Sequence, residues 1–446
     1  MKVAVVGAGF AGLAAARELV RHGADMVVLE ARGRVGGRVV NHRFPDGVTV
    51  ELGGQWVGPT QDHILSLIAE LGIETFPSYD AGDSLISLDG RVRRFKGSTY
   101  GLPPHVLAEA AVTQKRLERM AGSVPLNAPW TAERATRWDG QTLETWLLRN
   151  LRFDKSRRFW RGICVAILAA EPSEVSLLHF LFYCASGGML ERLMNTTDGA
   201  QEQRVVGGTQ VVAEAMAGEL DGRMRLEEAV RSIEQGANGV RVSTAQNSYE
   251  CDAVIVAIPP HLVSGIEFDP PTPSARTQLA QSMPMGSVIK CVVRYPSAFW
   301  RDDGLSGFAV SDDHLLTPVF DNSPPDASCG LLMGFFEGAN GRAASRLSSD
   351  ERRAAAVSTL TTLFGAQAAD PIDYAELDWS TERWTGGCFG AHFGPGGWTQ
   401  LGPELRRPHG RVHWAGAETA SRWNGYIDGA IASGKDAAQA VLQTIR

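Results

Sequence analysis

The sequence has few cysteines and no long apolar segment, and each shortage excludes a class of protein. The six cysteines lie at least 20 residues apart and form no CxxC pair, which argues against a disulfide framework or a cysteine-based zinc site. The longest purely apolar run, residues 163–170, is far shorter than the roughly 20 residues that cross a bilayer. We therefore expect a reducing compartment and no membrane span.

Positive charge is also scarce. The 43 basic residues are outnumbered by 50 acidic ones, which gives a net charge of -7, and neither sign forms a long run. The chain therefore lacks the basic patch that is typical of nucleic-acid-binding proteins. It contains no HExxH motif among its ten histidines and no GxSxG motif, so we predict neither a metal site nor a serine hydrolase.

The composition that remains is that of an ordinary folded protein. The 446 residues are 44% hydrophobic and 21% charged, and this length allows two or three domains at about 150 residues each. Residues 122–141, with two prolines and two tryptophans, are expected to form a loop. Two later apolar segments are predicted to be strands of one doubly wound sheet, at residues 225–242 and 251–258.

The first thirty residues carry the clearest local pattern. They predict a strand, a helix and a second strand, at residues 2–6, 10–22 and 26–29. Gly7, Gly9 and Gly12 form a GxGxxG motif between strand and helix, and Glu30 ends the second strand. Gly7 allows a tight turn, Gly9 lets a pyrophosphate approach the backbone, and Gly12 lets the helix pack closely against the sheet. The acid can bind a ribose. We infer a dinucleotide site, and because these residues belong to a fold motif we expect no signal peptide.

Two glycine-rich segments follow this unit. One is RGRVGGR, which contains Arg32 and Arg38, and the other is ELGGQWVG, which contains Gly54, Gln55 and Trp56. Both are candidate cofactor contacts, although two surface turns are the simpler alternative. The N-terminal unit alone does not distinguish NAD from FAD.

Lys290 is unusual for its setting. It is one of only six lysines and lies within SVIKCVV, where strand alternation places it on one face with Val288 and Val292. Burying an ammonium group costs free energy, so we predict a functional lysine. The alternative is an edge-strand lysine whose amine reaches solvent.

Several motifs in this order resemble the flavin-containing amine oxidase family, and specifically its monoamine oxidase branch. The resemblance runs along nearly the whole chain. It is carried by VVGAGFAGLAAA and VVLEARGRVGGR at the start, ELGGQWVGPTQ, DGAQEQRVVGG at residues 198–208, PMGSVIK at 284–290, GGCFGAHF at 386–393, and WAGAETASRWNGYIDGA at 414–430.

This resemblance implies an α/β fold, more fully an α+β composite. A Rossmann-like FAD-binding domain would be assembled from residues 1–76, 205–279 and 382–446. An interleaved substrate domain of mixed sheet and helices would comprise residues 77–204 and 280–381. The cofactor implied is FAD, with Glu30, Arg38 and Val230 near the adenine half, and Glu418 and Ile427 near the ribityl and pyrophosphate groups.

The resemblance also assigns roles to residues at the redox centre. Lys290 would hold a water against flavin N5, and Trp379 would brace the flavin and that water. Phe389 and Tyr426 would form an aromatic cage that guides the amine, with Phe389 standing where relatives have tyrosine. Cys388 would bond covalently to the flavin 8α-methyl group, or else remain a buried free cysteine. The substrate cavity would be lined by Gln201, Ile167 and Met194.

The reaction implied is oxidation of a primary amine to an imine by hydride transfer to flavin N5. Oxygen would then be reduced to hydrogen peroxide, and the imine hydrolysed to aldehyde and ammonia. An alkylammonium of pKa about 10 is only about one part in a thousand neutral at pH 7, and an uncharged aromatic cavity favours the neutral amine. We therefore predict that no aspartate or glutamate acts as the catalytic base.

Other functions stay open from the sequence. A diamine or polyamine oxidase and an L-amino acid oxidase share this fold, and a non-catalytic flavoprotein that binds a partner is an alternative of another class. Because no apolar tail follows the last predicted helix, the membrane anchor of mitochondrial relatives is not expected. We expect a cytoplasmic enzyme that acts on a small amine with oxygen, with a homodimer as a family expectation only.

Overall fold

A computed structural model describes residues 1–97, 100–220 and 222–444. Its helices are α1 (Phe10–Arg21), α2 (Asp62–Glu70), α3 (Pro104–Ala121), α4 (Ala135–Asp139), α5 (Leu143–Asn150), α6 (Asp154–Leu168), α7 (Leu177–Ser186), α8 (Leu190–Met194), α9 (Gln210–Gly218), α10 (Ser274–Ser282), α11 (Gly338–Ala344), α12 (Ser349–Phe364), α13 (Gly397–Leu401) and α14 (Ile427–Thr444).

The strands of the described residues divide among five sheets. They are β1 (Lys2–Val6), β2 (Asp25–Leu29), β3 (Asn41–Arg43), β4 (Thr49–Glu51), β5 (Trp56–Val57), β6 (Thr75–Pro77), β7 (Asp83–Leu88), β8 (Arg91–Phe95), β9 (Gln203–Val205), β10 (Met224–Arg225), β11 (Ser232–Gly236), β12 (Gly239–Ser243), β13 (Ser248–Cys251), β14 (Ala253–Val256), β15 (Glu267–Asp269), β16 (Val288–Tyr295), β17 (Leu305–Ser311), β18 (Val319–Asp321), β19 (Gly330–Glu337), β20 (Asp373–Asp378) and β21 (Val412–Trp414).

A five-stranded parallel sheet forms the first core, in the order β10-β2-β1-β14-β21. Apart from their first residues, β1 and β2 are buried along their whole length, as expected when helices cover both faces of a parallel sheet. Helix α14 packs against α1 so closely that a Cβ on Gly434 would lie 2.1 Å from the carbonyl oxygen of Ala11. The C-terminal helix therefore closes the N-terminal unit.

The strand prediction for residues 225–242 is right for Arg225, which ends β10 of the parallel sheet, and wrong in its sheet for the remainder. Strands β11 and β12 pair antiparallel within a separate four-stranded sheet, ordered β13-β12-β11-β15, whereas β14 joins the parallel sheet as predicted. The predicted loop at residues 122–141 contains the short helix α4. The buried ring of Trp138 anchors this helix in a hydrophobic core with residues of α6 and α7.

A seven-stranded mixed sheet forms the second layer, in the order β20-β16-β19-β18-β17-β7-β8. Strand β16 lies between two antiparallel neighbours, with Lys290 opposite Phe335 on one side and Leu377 on the other. The edge-strand alternative for this lysine is therefore wrong. No helix in the described part of the chain is both long and apolar enough to span a bilayer.

The parallel sheet and the seven-stranded sheet draw on different stretches of sequence. Described strands of the parallel sheet come from residues 2–29, 224–256 and 412–414, and those of the mixed sheet from residues 83–95 and 288–378. The domain boundaries drawn from the family resemblance stay a prediction.

Candidate active site

The glycine-rich turn after β1 is shaped for a phosphate. Gly7 has a φ of +100°, and a Cβ on Gly12 would lie 1.9 Å from the carbonyl oxygen of Gly7. Gly9 is the N-cap of α1 and makes no side-chain cap hydrogen bond, so N–H groups of the first helical turn stay available. An anion such as a pyrophosphate fits this position, because the helix dipole also favours negative charge there.

Glu30 fixes the geometry of this turn. Its Oε2 accepts a hydrogen bond of 2.7 Å from the backbone N–H of Ala8, and its Oε1 accepts one of 2.9 Å from the backbone N–H of Arg32. The Arg32 guanidinium donates in turn to Glu382 at 3.0 Å and contacts Thr385. The acid predicted to bind a ribose is thus buried at the end of β2 and held directly beside the turn.

An ion pair between the partly buried Arg38 and the buried Glu418 joins the N-terminal part of the chain to its C-terminal segment. Arg38 Nη1 donates to Glu418 Oε1 at 2.6 Å and to the carbonyl oxygen of Phe389 at 2.8 Å, and Nη2 donates to Glu418 Oε2 at 3.1 Å. Burial alone would raise the pKa of Glu418, but the charge of Arg38 and its hydrogen bonds hold that pKa below the usual value. The pair therefore stays charged and fixes the backbone at Phe389.

One cavity of about 560 Å³ runs from the glycine-rich turn to the seven-stranded sheet. Of the residues that the sequence predicts for the site, Gly12 and Glu418 are outside its lining, one beneath the turn and the other beyond Arg38. The remaining ones line the cavity: Gly7, Gly9, Glu30, Arg32, Arg38, Gly54, Gln55, Trp56, Ile167, Met194, Gln201, Val230, Lys290, Trp379, Cys388, Phe389, Tyr426 and Ile427.

Lys290 points into this cavity from the middle of β16. Its Nζ donates to the carbonyl oxygen of Gly53 at 2.8 Å and to Gln55 Oε1, and lies 5.9 Å from the ring centre of Trp56. Burial lowers the pKa of Lys290 to about 7, although the charge of Glu51 partly opposes this shift. The amine is therefore near the midpoint of its titration at neutral pH.

A polar network behind Lys290 was missed by sequence reasoning. Gln55 Nε2 donates to Asn322 Oδ1 at 2.8 Å, and Arg204 Nη2 donates to Glu51 Oε2 at 2.9 Å. Arg204 Nη1 also donates to the carbonyl oxygen of Asn322 at 2.8 Å. Every one of these side chains is buried. The network fixes the Gln55 amide, whose oxygen accepts a hydrogen bond from Lys290. The only signal of this network in the sequence was Glu51, the acidic residue that begins ELGGQWVG.

Aromatic rings form the walls of the cavity around Lys290. We call this part of the cavity the ring end, or the aromatic chamber. The ring centres of Phe389 and Phe335 are 5.8 Å apart in an edge-to-face arrangement, and those of Tyr426 and Tyr183 are 6.2 Å apart. Burial raises the pKa of Tyr426 to about 12, and its hydrogen bond with Tyr183 partly opposes that shift. Tyr183 and Phe335 line the same cavity. They were not predicted, because an aromatic residue within a helix or strand cannot be distinguished by sequence from an ordinary core residue.

Cys388 and Trp379 lie against the same chamber. The backbone N–H of Cys388 donates to Gly286 O at 3.0 Å, and burial raises the pKa of its thiol to about 11. Trp379 is fully buried, and its Nε1 donates to Leu52 O at 2.8 Å. The Cys388 backbone and the Trp379 ring are therefore both held by hydrogen bonds to loop backbone.

One pair of histidines has a spacing that is found in some zinc sites. His409 and His413 are four residues apart, but His409 Nε2 lies 2.9 Å from the carbonyl oxygen of Pro270 while His413 is buried in β21. Within residues 1–97, 100–220 and 222–444, no group of three or more His, Cys, Asp or Glu side chains could hold a metal ion.

A dinucleotide turn that opens into an aromatic chamber with a buried lysine is the arrangement expected of an oxidoreductase with a dinucleotide cofactor. A family model described as flavin-containing amine oxidoreductase matches residues 10–442. The chain therefore belongs to the flavin-containing amine oxidoreductase family and is an enzyme.

Individual relatives agree with this assignment. The chain is 43% identical over 440 residues to AofH of Mycobacterium tuberculosis, which carries the name of a flavin-containing monoamine oxidase, with 98% of this chain and 96% of that protein covered. A triple mutant of putrescine oxidase superposes with a TM-score of 0.96 at 33% identity, covering 99% of each chain. Cyclohexylamine oxidase from Brevibacterium oxydans superposes with a TM-score of 0.95 at 33% identity, covering 100% of this chain and 99% of that one.

Proposed function

We propose that this enzyme oxidises primary monoamines to aldehydes, with release of ammonia and hydrogen peroxide. The observation that carries the proposal is Lys290, a buried amine held between an aromatic chamber and a dinucleotide turn in one continuous cavity. FAD, when bound, supplies the hydride acceptor and passes the electrons to oxygen. The residues of the chain bind and orient the cofactor and the amine, and they exclude water from the reacting groups.

The nucleotide half of FAD would be held by the glycine-rich turn and Glu30, and its redox half would face the rings. Arg38 holds the backbone of Phe389, so the nucleotide end and the cage are mechanically linked. We assign the cage to Phe389 and Tyr426, and the entry side of the chamber to Ile167, Met194 and Gln201.

The chamber favours a neutral amine. Aromatic rings make up much of the wall at this end, and one carboxyl group that lines the cavity, Glu337, has its pKa raised by burial well above the usual range. An uncharged wall lowers the pKa of a bound alkylammonium, and only the neutral amine has the lone pair that supports hydride loss. No carboxylate base is needed for the carbon–hydrogen bond.

Lys290 would act after the amine has been oxidised. Its ammonium form, held by Gly53 and Gln55, places a positive charge beside the chamber where oxygen gains negative charge. Such preorganised charge stabilises a developing anion. Trp379, fully buried and fixed by Leu52, would keep the neighbouring wall rigid.

Cys388 would anchor the cofactor through a thioether. The thiol lines the cavity and has no disulfide partner. Acid precipitation tests this bond: yellow colour that stays with the protein pellet supports it, and FAD that appears quantitatively in the supernatant contradicts it.

A peroxide-coupled assay tests the substrate class. We expect the largest kcat/KM values for benzylamine, phenethylamine or tyramine, and small values for putrescine, spermidine and L-amino acids. Preference for putrescine would instead support a diamine oxidase, as the name of one structural neighbour suggests. Absence of peroxide with every amine, while FAD is bound, would support a non-catalytic binding role.

A further inference from the structure

Lys290 binds a side-chain amide that is itself oriented by a second amide. Lys290 Nζ donates to Gln55 Oε1, and Gln55 Nε2 donates to Asn322 Oδ1 at 2.8 Å. Each of these three residues is at most 2% exposed. The two amides therefore form a buried hydrogen-bonded chain that ends on the lysine of the aromatic chamber.

The charge of Lys290 fixes the order of donors and acceptors along this chain. An ammonium group has three donors and no acceptor, so Gln55 must present its oxygen to Lys290. The amide nitrogen of Gln55 then faces Asn322, which must present an oxygen in turn. Asn322 Nδ2 has no partner among the residues that the structure describes. What Asn322 supplies to this chain is therefore an acceptor alone.

A neutral Lys290 would also allow the opposite order. Its nitrogen would carry a lone pair, which could accept from the amide nitrogen of Gln55 after both amides had turned over. The carbonyl oxygen of Gly53, which accepts from Lys290 Nζ at 2.8 Å, suits either form, because a neutral amine still has two N–H donors. The observed order of the two amides is therefore the one that favours the ammonium form.

One buried carboxylate holds the backbone of both amide residues. Thr209 Oγ1 lies 2.9 Å from Glu51 Oε1 and 3.1 Å from the carbonyl oxygen of Gln55. Glu51 Oε2 accepts from Arg204 Nη2 at 2.9 Å, and Arg204 Nη1 donates to the carbonyl oxygen of Asn322 at 2.8 Å. The backbones of Gln55 and Asn322 are thus held in place, while their terminal amides can still turn over.

The charged groups around Lys290 partly cancel one another. Burial is the main cause of its lowered pKa, about 7; the charge of Glu51 raises that pKa and the charge of Arg204 lowers it, while Cys388 and Cys291 raise it. Because Glu51 is paired with Arg204 at 2.9 Å, the carboxylate alone cannot secure the charge of the lysine. A direct hydrogen bond to an oriented amide oxygen adds the stabilisation that this ion pair does not supply.

We propose that Gln55 and Asn322 are positioning residues for Lys290, and that the direction of their two amides keeps this lysine in its ammonium form. Asn322 acts through Gln55, because its oxygen selects which end of the Gln55 amide faces the lysine. The kinetic consequence rests on the role in oxygen reduction that we propose for Lys290. The charge of Lys290 can be measured without any turnover.

Nuclear magnetic resonance of protein labelled with ¹³C at lysine Cε measures that charge directly. The chain has only six lysines, and Lys290→Met identifies the Lys290 signal by its loss. The full-length protein with FAD bound is titrated through neutral and alkaline pH, and the midpoint of the Lys290 signal is recorded. Flavin absorbance shows how much FAD each variant holds, and reoxidation of the anaerobically reduced enzyme by oxygen is measured separately.

We expect different results from two substitutions of Asn322. Asn322→Leu removes the acceptor, so the Gln55 amide can turn over, and the midpoint should fall by about one pH unit, the effect of one hydrogen bond to a charged group. Asn322→Asp keeps an acceptor of the same shape and should hold or raise the midpoint. Gln55→Leu should lower it at least as far as Asn322→Leu. The control is Asn150→Leu, at an amide of α5 that donates to the carbonyl oxygen of Trp146 at 2.6 Å, which should leave the midpoint unchanged.

Reoxidation at pH 7 should slow by about fivefold in Asn322→Leu, because the ammonium fraction falls from about one half to about one tenth. Two results would overturn the inference. One is an unchanged midpoint in both Asn322→Leu and Gln55→Leu with FAD bound, and the other is an equal fall in Asn322→Leu and Asn322→Asp, which would indicate a merely structural effect. Midpoints that shift as expected while reoxidation stays constant would support the positioning role and refute the proposed role of Lys290 toward oxygen.

Discussion

The two ends of the cavity are built in opposite ways. At the nucleotide end, the turn, the helix N-terminus and Glu30 come from one short stretch, and Glu30 bonds backbone N–H groups within 22 residues of itself. At the ring end, Lys290 meets Gln55 across 235 residues and Trp379 meets Leu52 across 327. The first end is thus assembled by local geometry, and the second exists only when both sheets and the C-terminal segment are packed.

This difference implies that the two ends should fail differently when altered. A change at the nucleotide end should remove the cofactor, because the turn has no tolerance for added atoms. A change at the ring end should leave FAD bound and alter a single step of the reaction.

The largest effect is expected for Gly12→Ala. The new Cβ would lie 1.9 Å from the carbonyl oxygen of Gly7, so α1 must shift away from the turn that faces the phosphates. We expect no measurable FAD in the purified protein, judged by absorbance at flavin wavelengths. The matched control is Gly218→Ala, at a helical glycine with nothing within 4 Å of the new Cβ, which should bind FAD fully. Full FAD content in Gly12→Ala would remove the contrast between the two ends.

Lys290→Met should be the next most severe change. It removes the buried positive charge but keeps an unbranched side chain, so FAD binding and flavin reduction by amine should persist. Reoxidation by oxygen should slow by about 100-fold, as for loss of one preorganised donor, measured by mixing anaerobically reduced enzyme with oxygen. Lys115→Met on the exposed face of α3 is the control and should reoxidise normally. Unchanged reoxidation in Lys290→Met would show that this lysine has another role.

The pH dependence of reoxidation should follow the same side chain. Because burial lowers the pKa of Lys290 to about 7, the ammonium form predominates below pH 7 and the neutral amine above it. The rate constant with oxygen should therefore be highest at low pH and fall through pH 7, by up to tenfold per unit. Lys290→Met should lose this inflection. An inflection that persists in the variant would belong to another group.

The smallest effect is expected for Phe389→Tyr. The ring stays in contact with Phe335, and one hydroxyl is added to the wall of the chamber. We expect the ratio of kcat/KM for benzylamine to that for butylamine to change by several-fold, about 1 kcal/mol, with FAD content unchanged. A loss of all activity would indicate that the phenyl edge contacts the reacting amine more closely than the proposed cage requires.

Particular residues show how far the sequence could lead. The N-terminal strand–helix–strand unit lies within one residue of its predicted bounds, because hydrophobic periodicity and glycine spacing are local properties. Apart from Arg225, the sheet to which residues 225–242 belong was predicted wrongly. Alternating burial, as at Val240 and Val242 in β12, looks the same whichever strand lies alongside, so the partner is decided by long-range packing.

Lys290 shows the same limit at the site. Its sequence context suggested burial, but an edge strand would have let the amine reach water. Only the pairing of β16 with β19 and β20 excludes that alternative. The burial of Glu337 could not be predicted from the sequence, since a glutamate at the end of a strand is usually solvated. Its carboxyl group has no hydrogen-bond partner because the side chains and backbone packed around it offer none.

By itself, the sequence determined the dinucleotide turn, the family resemblance and the set of residue types at the site, because these depend on spacing along the chain. Only the tertiary structure decided which strands neighbour Lys290 and which polar network holds Gln55, its amide partner. It also decided that the carboxyl group of Glu337 has no hydrogen-bond partner. These features depend on contacts between residues hundreds of positions apart, and burial sets their charge states only after the two sheets have packed together.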